Sequence, residues 1–502
     1  MHREQPGVPL RAAASGLAGA SANLVDLVTA RAAERPDVVA LVEPAAPRRE
    51  LTWAELDARV SAVATGLASR GLLAGHRLAL QGPGSAAWVV AYLATLRAGV
   101  VAVPLDPESG PEEVAALVAH SGARVLLSSI EPGPPGLTTL PLTDAGLDAL
   151  ATNPALVSSP RDAESLAVLL YTAGTSGRAK AAMLTHRALL AHIDQVDRLG
   201  VLQPADVVLC TLPLFHVFGL NAVLGGWLGS GARLVVTDGY PDRCCALVRD
   251  EGVTNLPLAP PTLQRLLAEP DLDAGLGRLR TVVSGGAPLR EDLAAAFQER
   301  TGLGVERGYG MTEAASGVTT TLGGGGGGPG HVGRPLPGVE VRIGEGDGIE
   351  PDEIHIRGAN LFSGYWPDGR DGPDADGWFA TGDIGYLDGG ELVLVDRSRE
   401  LVVVQGFHVY PAEVEQVILE LAGVEAVAVV GQAEAGSGEQ VVAFVQGVGV
   451  SVAEVEAHCE QRLPRFKRPA VVRVLDELPR GAMGKIRKGM LREMNTAEQE
   501  PA

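Results

Sequence analysis

Alternation of helical and strand patterns is the feature that most constrains the fold of this chain. Between residues 23 and 125, helical segments such as LTWAELDARVSAVATGLASRG alternate with short aliphatic runs such as HRLALQGP. The alternation resumes after residue 164, where AVLLYT precedes RALLAHIDQVDRL and DVVLCTLPL. Strands that alternate with helices are typical of a parallel sheet covered by helices. The sequence therefore predicts an α/β fold.

The pattern changes twice further along the chain. Residues 323–330 read GGGGGGPG, and such a run cannot form a regular element without a large entropic cost, so we expect a flexible surface loop. Short strands with turn signals follow, as in GYLDGGELVLVD, and indicate a β-rich module. Beyond about residue 399 the segments are typical of a compact α+β domain. We predict a flexible tail at 1–22, a large N-terminal domain at 23–396 and a small C-terminal domain at 401–502.

Charge and cysteine content exclude several classes of protein. The formal net charge of −20 argues against nucleic-acid binding and against a polybasic membrane anchor. The apolar stretch at 86–105 contains a charged residue and a glycine, so it predicts a buried helix and strand rather than a membrane span. The four cysteines form no C-x-x-C pair, which fits structural thiols in a reducing cytoplasm. We expect a cytoplasmic protein without an integral membrane segment.

The stretch LLYTAGTSGRAKAAMLTHRALL at 169–190 predicts a phosphate-binding loop. A strand leads into a turn in which glycines let backbone N–H groups approach an anion, hydroxyls donate hydrogen bonds and a lysine adds charge. The spacing differs from that of a P-loop, and an ordinary structural turn is the alternative. The candidate ATP-binding residues are Thr172, Gly174, Thr175, Ser176, Gly177 and Lys180.

This loop resembles the phosphate loop of the adenylate-forming (AMP-binding) superfamily, which includes acyl-CoA synthetases, peptide-synthetase adenylation domains and firefly luciferase. Further stretches match the same superfamily in the same order, from about residue 25 to residue 490. The resemblance implies a large N-terminal domain of parallel-sheet α/β subdomains with a β-rich module, followed by a small mobile α+β domain. It also implies ATP-dependent activation of a carboxylic acid as an acyl-adenylate, followed by transfer of the acyl group to a thiol.

The resemblance assigns roles to three further motifs around ATP. In VVSGGAPL and RGYGMTE, Tyr309 would stack on adenine, Thr312 would bind the α-phosphate and Glu313 would hold Mg²⁺. In GWFATGDIGYLD, Asp383 would bind the ribose hydroxyls, and Arg397 would reach the ribose or the phosphates. Each motif alone also fits an ordinary turn or a solvated side chain. The residues expected to line the adenine pocket are Gly286, Ala287 and Pro288.

Other motifs imply a hinge, a catalytic lysine and a site for coenzyme A. The hinge is expected at 397–400, about Arg399, and Lys485 in LPRGAMGKIRK would bridge the acyl carboxylate and the α-phosphate. His216 would lie near the substrate carboxylate and the thiol, with a packed structural histidine as the alternative. The form GFHVYPAEVE is closer to CoA ligases than to peptide-synthetase domains. The candidate CoA-binding residues are Gly406, Phe407, His408, Arg465 and Lys467.

Several departures from the superfamily pattern bear on activity. Ala173, Ala179 and Ala181 replace residues that are common in the phosphate loop. Ala173 stands in place of a serine, and the loss of that hydroxyl donor is worth on the order of 1 kcal/mol. The ATP affinity is therefore left open. Val403 stands where several relatives carry a lysine that serves the second half-reaction.

The segments expected around the acyl group contain aromatic residues and glycines and no cation for a second carboxylate. We therefore predict a CoA ligase for a medium- or long-chain fatty acid that uses ATP, Mg²⁺ and CoA. The alternatives are an aryl acid as the substrate or a carrier protein as the acceptor. A non-catalytic binding protein and a luciferase-like oxidase are less favoured. The sequence does not predict the oligomeric state. The expected acyl-pocket residues are Phe215, Phe218, Trp227, Gly285, Gly286, Gly308 and Gly310.

Overall fold

The computed structural model describes residues 23–45, 47–130, 133–153, 162–172, 180–324, 328, 330–344, 348, 350–397, 400–404, 407–434 and 438–497. The chain forms two compact units. The first comprises the residues up to 327 together with 332–340 and 357–379. The second comprises 328–331, 341–356 and the chain from 380 onward. The predicted tail at 1–22 lies outside the described residues.

Four helices of the first unit begin at a side-chain cap. The helix that follows Thr185 is an example, because the Thr185 hydroxyl accepts a hydrogen bond from the backbone N–H of Ala188 at 3.2 Å. The stretch at 86–105 folds as the expected helix and strand. The helices of the first unit are α1 Asp26–Glu34, α2 Trp53–Ser69, α3 Ala86–Arg97, α4 Pro111–Ser121, α5 Asp144–Leu150, α6 His186–Arg198, α7 Leu224–Ser230, α8 Cys244–Asp250, α9 Pro260–Leu267 and α10 Glu291–Thr301.

The strands of the first unit are short and mostly buried. They are β1 Val39–Glu43, β2 Arg49–Thr52, β3 Arg77–Gln81, β4 Val101–Leu105, β5 Val125–Ser128, β6 Thr138–Pro141, β7 Leu166–Thr172, β8 Lys180–Thr185, β9 Val207–Cys210, β10 Arg233–Val236, β11 Asn255–Leu258, β12 Thr281–Ser284, β13 Val305–Met311, β14 Ser316–Thr320 and β15 Arg334–Pro335.

Within the described ranges, these strands form two sheets. One has the order β6-β5-β3-β4-β7-β8, and the other has the order β15-β14-β13-β12-β11-β9-β10-β1-β2. Strand β12 pairs in parallel with β11 and with β13, so the chain leaves all three at the same edge of the sheet. Strands β7 and β8 form an antiparallel pair that brackets the predicted phosphate loop. The predicted α/β class with parallel sheets is confirmed.

The second unit contains two smaller sheets and three α-helices among its described residues. Its strands follow the order β16-β17-β18-β19 in one sheet and β21-β20-β23-β22 in the other, where β24 also pairs with β23. The elements are β16 Glu340–Ile343, β17 Asp352–Arg357, β18 Phe379–Asp388, β19 Glu391–Arg397, β20 Val402–Val404, β21 Phe407–Val409, β22 Val424–Glu434, β23 Gly438–Gly447, β24 Val471–Leu475, α11 Pro411–Leu419, α12 Val452–Arg462 and α13 Lys488–Ala497.

The contacts of the β-rich module differ from the expected domain organisation. Residues 341–356 and 380–396 group with the second unit, whereas the sequence places them in a domain that ends at 396. The hinge at 397–400 stays a prediction. All four cysteines are buried free thiols, as expected for structural residues. Among the described residues, no helix combines the length and the apolarity needed to cross a membrane.

Candidate active site

The first unit contains a cavity of about 160 Å³ beside β11, β12, β13 and β14. Most of its lining side chains are aliphatic, and this composition is typical of sites that bind small organic molecules. Its apolar lining residues are Val196, Leu199, Val201, Leu202, Val208, Val217, Phe218, Ala222, Val223, Leu256, Pro257, Val283, Leu322 and Leu336.

Several residues expected around adenine and the acyl group line this one cavity. They come from three separate motifs of the sequence, which the sheet brings together. His216 has a defined tautomer when neutral, because its Nδ1 accepts a hydrogen bond from the Phe218 N–H at 3.2 Å and the proton then lies on Nε2. The predicted residues at the cavity are His216, Phe218, Gly285, Gly286, Gly308, Tyr309 and Gly310.

Two of the expected acyl-pocket residues are not lining residues of this cavity. Trp227 is fully buried in the core, where its ring stacks on Trp53 with 5.2 Å between ring centroids. Its indole Nε1 donates a hydrogen bond to the carbonyl of Ala40 at 3.0 Å, so its polar atom is already used. Phe215 is half-buried outside the cavity lining. The assignment of Trp227 to the acyl pocket was wrong, because α7 is buried on all sides and a large aromatic there packs in the core. The role of Phe215 stays a prediction.

Glycines let the cavity walls approach each other closely. A Cβ atom on Gly310 would lie 2.0 Å from the carbonyl oxygen of Ser316 on the paired strand. A Cβ atom on Gly285 would lie 3.1 Å from the ring of Phe218. Gly286, which follows Gly285, has a φ of +82°, a conformation that favours glycine. Ala287 and Pro288 come next but are not lining residues of the cavity.

The turn Thr312–Ala314 holds the candidate metal ligand Glu313, which is only 7% exposed. The two residues after the turn have positive φ angles, 52° for Ala315 and 131° for Ser316, and such backbone strain clusters at functional sites. Side-chain amides hold this backbone in place. Asn221 donates to the carbonyl of Ala315 at 2.8 Å, and Asn360 donates to the last carbonyl of the turn at 2.9 Å.

Tyr365 connects the candidate metal ligand with the candidate phosphate-binding lysine. Its hydroxyl donates a hydrogen bond to the Glu313 carboxylate. The Lys180 Nζ lies 4.7 Å from the centroid of the Tyr365 ring and 2.9 Å from a carboxylate oxygen of Asp371. Sequence reasoning missed Tyr365 and Asp371, although the tyrosine in SGYW between two glycine turns was a visible signal.

The structure describes only the two ends of the predicted phosphate loop. Thr172 ends β7 and Lys180 begins β8, and the Thr172 hydroxyl donates to the Lys180 carbonyl at 3.4 Å. Ala181 is buried in β8. The predicted residues Gly174, Thr175, Ser176 and Gly177, with Ala173 and Ala179, lie outside the described residues.

The second unit carries the candidate ribose-binding residues. Asp383 in β18 lies opposite Arg397 in β19, and Asp383 is 7% exposed. The backbone N–H of Asp383 donates to the hydroxyl of Thr381 at 3.1 Å, as expected for an aspartate presented on a Thr-Gly turn.

Lys485 lies at the exposed tip of a tight turn in the second unit. The turn is closed by a hydrogen bond from the Gly481 N–H to the Lys485 carbonyl at 2.8 Å, and the preceding Gly484 has a φ of +76°. This geometry presents a cationic side chain at an exposed position of the turn. An exposed lysine fits the catalytic role that the family resemblance implies for Lys485. That role stays a prediction.

Three residues after Lys485, a buried ion-pair cluster fixes the same segment. Lys488 Nζ lies 2.7 Å from Glu400 and 2.8 Å from Glu415, and the three side chains are 13–20% exposed. Burial lowers the pKa of Lys488, but the charges and hydrogen bonds of Glu415 and Glu400 outweigh burial and raise its pKa above the ordinary value. The cluster was not predicted, because the three residues are far apart in the sequence.

The candidate CoA-binding residues are only partly described. Arg465 and Lys467 lie in one helical turn, and Lys467 Nζ is 2.6 Å from both carboxylate oxygens of Glu413. Part of its positive charge is therefore offset within the second unit. Phe407 and His408 belong to β21, but their side chains, Arg399 and Gly406 lie outside the described part of the chain.

Comparison with known proteins identifies the class to which this fold and this site belong. The sequence profile of AMP-binding enzymes matches residues 28–366, and that of the AMP-binding enzyme C-terminal domain matches residues 413–485. The chain is 34% identical to 4-coumarate–CoA ligase 5 of Oryza sativa subsp. japonica over 93% of this chain and 94% of the relative. It is 35% identical to a feruloyl-CoA synthase of an Amycolatopsis species over 88% and 93% of the two chains.

A solved structure shows the same fold over nearly the whole chain. The ATP-bound crystal structure of MatB from Rhodopseudomonas palustris has a TM-score of 0.88 and 31% identity, with 96% of this chain and 100% of that chain covered. The chain belongs to the AMP-binding enzyme family. The expected resemblance to the adenylate-forming superfamily, acyl-CoA synthetase type, is confirmed.

Proposed function

We propose that this protein is an ATP-dependent carboxylate–CoA ligase that acts on an aryl acid. It would form an acyl-adenylate with release of pyrophosphate and then pass the acyl group to the thiol of CoA. The observation that supports this most directly is the single cavity lined by His216, Gly286 and Tyr309, whose remaining walls are mostly aliphatic. The two relatives named above act, by their names, on coumarate and on the feruloyl group.

The cavity favours a flat ring over a long alkyl chain. Phe218 offers an aromatic surface, and rings pack well on rings in offset geometry. Glycine at 308 and 310 lets the backbone of β14 pack closely against β13 in the cavity wall, since Cβ atoms there would lie 2.9 and 2.0 Å from carbonyl oxygens of β14. A medium- or long-chain fatty acid, which the sequence favoured, is the second candidate. A carrier protein as the acyl acceptor is a third candidate, and in that case the reaction would not depend on CoA.

In this proposal each half-reaction uses particular residues. Thr172 and Lys180, with the loop between them, would bind the phosphates, and Thr312 would hydrogen-bond the α-phosphate. Lys485 would bridge the acyl carboxylate and the α-phosphate, where negative charge accumulates in the transition state. The hinge near Arg399 would then carry Lys485 away and bring the segment with Gly406 to the thiol.

The residues around Glu313 fit a magnesium ion. A buried carboxylate next to the hydroxyl of Thr312 offers the hard oxygen donors that Mg²⁺ prefers, and Tyr365 holds that carboxylate in one orientation. When bound, Mg²⁺ neutralises charge on the phosphates.

Thioester formation across matched acids tests the proposal. The purified protein is incubated with ATP, Mg²⁺ and CoA and with each of cinnamate, benzoate, hexanoate and palmitate, and the CoA products are measured by mass spectrometry. We expect cinnamoyl-CoA to form with a higher kcat/KM than hexanoyl-CoA or palmitoyl-CoA. A higher kcat/KM for either fatty acid would overturn the aryl assignment. Adenylate formation that ends after one turnover and ignores CoA would favour a carrier-protein acceptor.

A further inference from the structure

Two buried polar side chains at the cavity each have one atom that lacks a hydrogen-bonding partner in the described part of the chain. His192 and Ser284 both line it, and they are 1% and 3% exposed. Among the described residues, neither the His192 Nδ1 nor the Ser284 Oγ has a hydrogen-bonding partner. Buried polar atoms are almost always paired, so an unpaired atom on a residue that lines a cavity can take a partner from a ligand.

Three other polar side chains at the cavity already have partners. The Asn255 side-chain oxygen accepts from the Thr254 hydroxyl at 2.7 Å, and the Thr319 hydroxyl donates to the Val332 carbonyl at 2.7 Å. His216 Nδ1 is used by the backbone of its own loop. The contrast separates His192 and Ser284 from the polar groups that maintain the fold.

The residues around His192 leave specific room for its ring in the cavity wall. It lies in α6, and Gly317 on β14 makes room for its ring, because a Cβ atom at 317 would lie 3.0 Å from the His192 Nε2. Burial lowers the pKa of His192 to about 4, so the imidazole is neutral at pH 7 and offers one donor and one acceptor. A neutral imidazole suits an uncharged hydrogen-bonding group.

Ser284 reaches the same cavity from the sheet. It is the last residue of β12, between the parallel neighbours β11 and β13. Its hydroxyl can donate and accept, like the imidazole of His192. The wall around both residues is otherwise mostly aliphatic, and in such surroundings an unpaired polar group discriminates strongly between ligands.

We propose that His192 and Ser284 bind a neutral hydrogen-bonding substituent on the acyl group, such as a ring hydroxyl, so that the substrate is a hydroxylated or similarly substituted acid. This inference rests on the proposed function, since it assumes that the cavity holds the acyl group. It adds the requirement that the acyl group carries a hydrogen-bonding substituent. An unsubstituted acid would leave both polar groups without partners and would react more slowly.

The test compares substrates that differ in one hydroxyl. For the wild-type protein, kcat/KM for CoA-thioester formation is measured with cinnamate, 3-hydroxycinnamate and 4-hydroxycinnamate. We expect the better hydroxylated acid to exceed cinnamate by about ten- to hundredfold, the range for a buried hydrogen bond that is made or left unmade. In His192→Leu or in Ser284→Ala this ratio should fall towards one.

The ratio of kcat/KM for two substrates, measured on one preparation, does not depend on the fraction of enzyme that is folded. A loss of stability alone therefore does not change this ratio. Val196→Ala is the matched control, because Val196 lines the cavity from the same helix without a polar atom. This variant should keep the wild-type ratio. Equal rates for cinnamate and both hydroxycinnamates, or an unchanged ratio in both His192→Leu and Ser284→Ala, would overturn the inference while leaving the ligase proposal intact. Absence of any CoA thioester would instead refute the proposed function.

Discussion

Lys488 is expected to be the most important single charge for the stability of the second unit. Its ammonium group lies between the carboxylates of Glu400 and Glu415, which are 13% and 20% exposed. Lys488→Met keeps a side chain of similar length but removes the cation that Glu400 and Glu415 share. Breaking a buried ion pair by removing one partner costs about 3–5 kcal/mol. We expect the free energy of unfolding of the second unit to fall by that amount.

The pH dependence follows from the direction of the pKa shift. The pKa of Lys488 in the folded protein is raised above its ordinary value of 10.5. A raised pKa means that the stabilisation is fully present below the unfolded value and is lost as the pH rises through the folded one. The difference in stability between wild type and Lys488→Met should therefore be constant near neutral pH and should shrink only in strongly alkaline solution.

Amide hydrogen exchange is the suitable assay, because all five tryptophans lie in the first unit and their fluorescence does not report on the second. The Val429 N–H in β22 donates to Glu415 at 2.7 Å, so β22 and β23 should respond directly. At about 1.4 kcal/mol per factor of ten, we expect exchange there to accelerate roughly a hundredfold to several-thousandfold.

Lys467→Met is the matched control. Lys467 also pairs with a glutamate, but Glu413 is 42% exposed, and such pairs contribute about 0–1 kcal/mol. The same rise in exchange for Lys467→Met and Lys488→Met would refute the argument from burial. An exchange rate of β22 and β23 in Lys488→Met that is within a few-fold of the wild-type rate would also refute it.

Three further substitutions test the proposed site. Lys485→Ala should nearly abolish acyl-adenylate formation while ATP binding is largely retained, and adenylation at the wild-type rate in a pyrophosphate assay would exclude its role. Gly406→Leu should impair thioester formation more than adenylation, and equal loss in both half-reactions would contradict a role in thiol access. Tyr365→Phe removes a hydrogen bond to the carboxylate of Glu313, worth about 1.5–3 kcal/mol, and should raise the Mg²⁺ concentration for half-maximal rate. Tyr365→Leu should in addition weaken ATP binding, because it removes the ring beside Lys180; identical behaviour of the two variants would argue against that contact.

Local patterns in the sequence predicted much of the fold. The helix and strand of 86–105 are α3 and β4, and RALLAHIDQVDRL lies in α6, because apolar periodicity and caps act over a few residues. The predicted residues His216, Gly286 and Tyr309 share one cavity, since the ends of neighbouring parallel strands meet at one edge of the sheet.

Contacts between distant segments could not be predicted in the same way. Trp227 resembled a pocket residue in its glycine-rich segment, and only the stacking on Trp53 shows that it belongs to the core. Whether the His192 Nδ1 and the Ser284 Oγ find partners among the described residues depends on what surrounds them in the fold, and no local pattern encodes it.

The fate of a carboxylate oxygen tests the central claim most directly. The protein is incubated with ATP, Mg²⁺, CoA and 4-hydroxycinnamate labelled with ¹⁸O in both carboxylate oxygens, and the nucleotide product is analysed by mass spectrometry. If a carboxylate oxygen attacks the α-phosphorus and CoA then displaces AMP from the acyl carbon, each AMP carries one ¹⁸O atom. The account predicts this labelled AMP together with unlabelled pyrophosphate. Label in inorganic phosphate with ADP as product, or AMP without label, would contradict the acyl-adenylate mechanism.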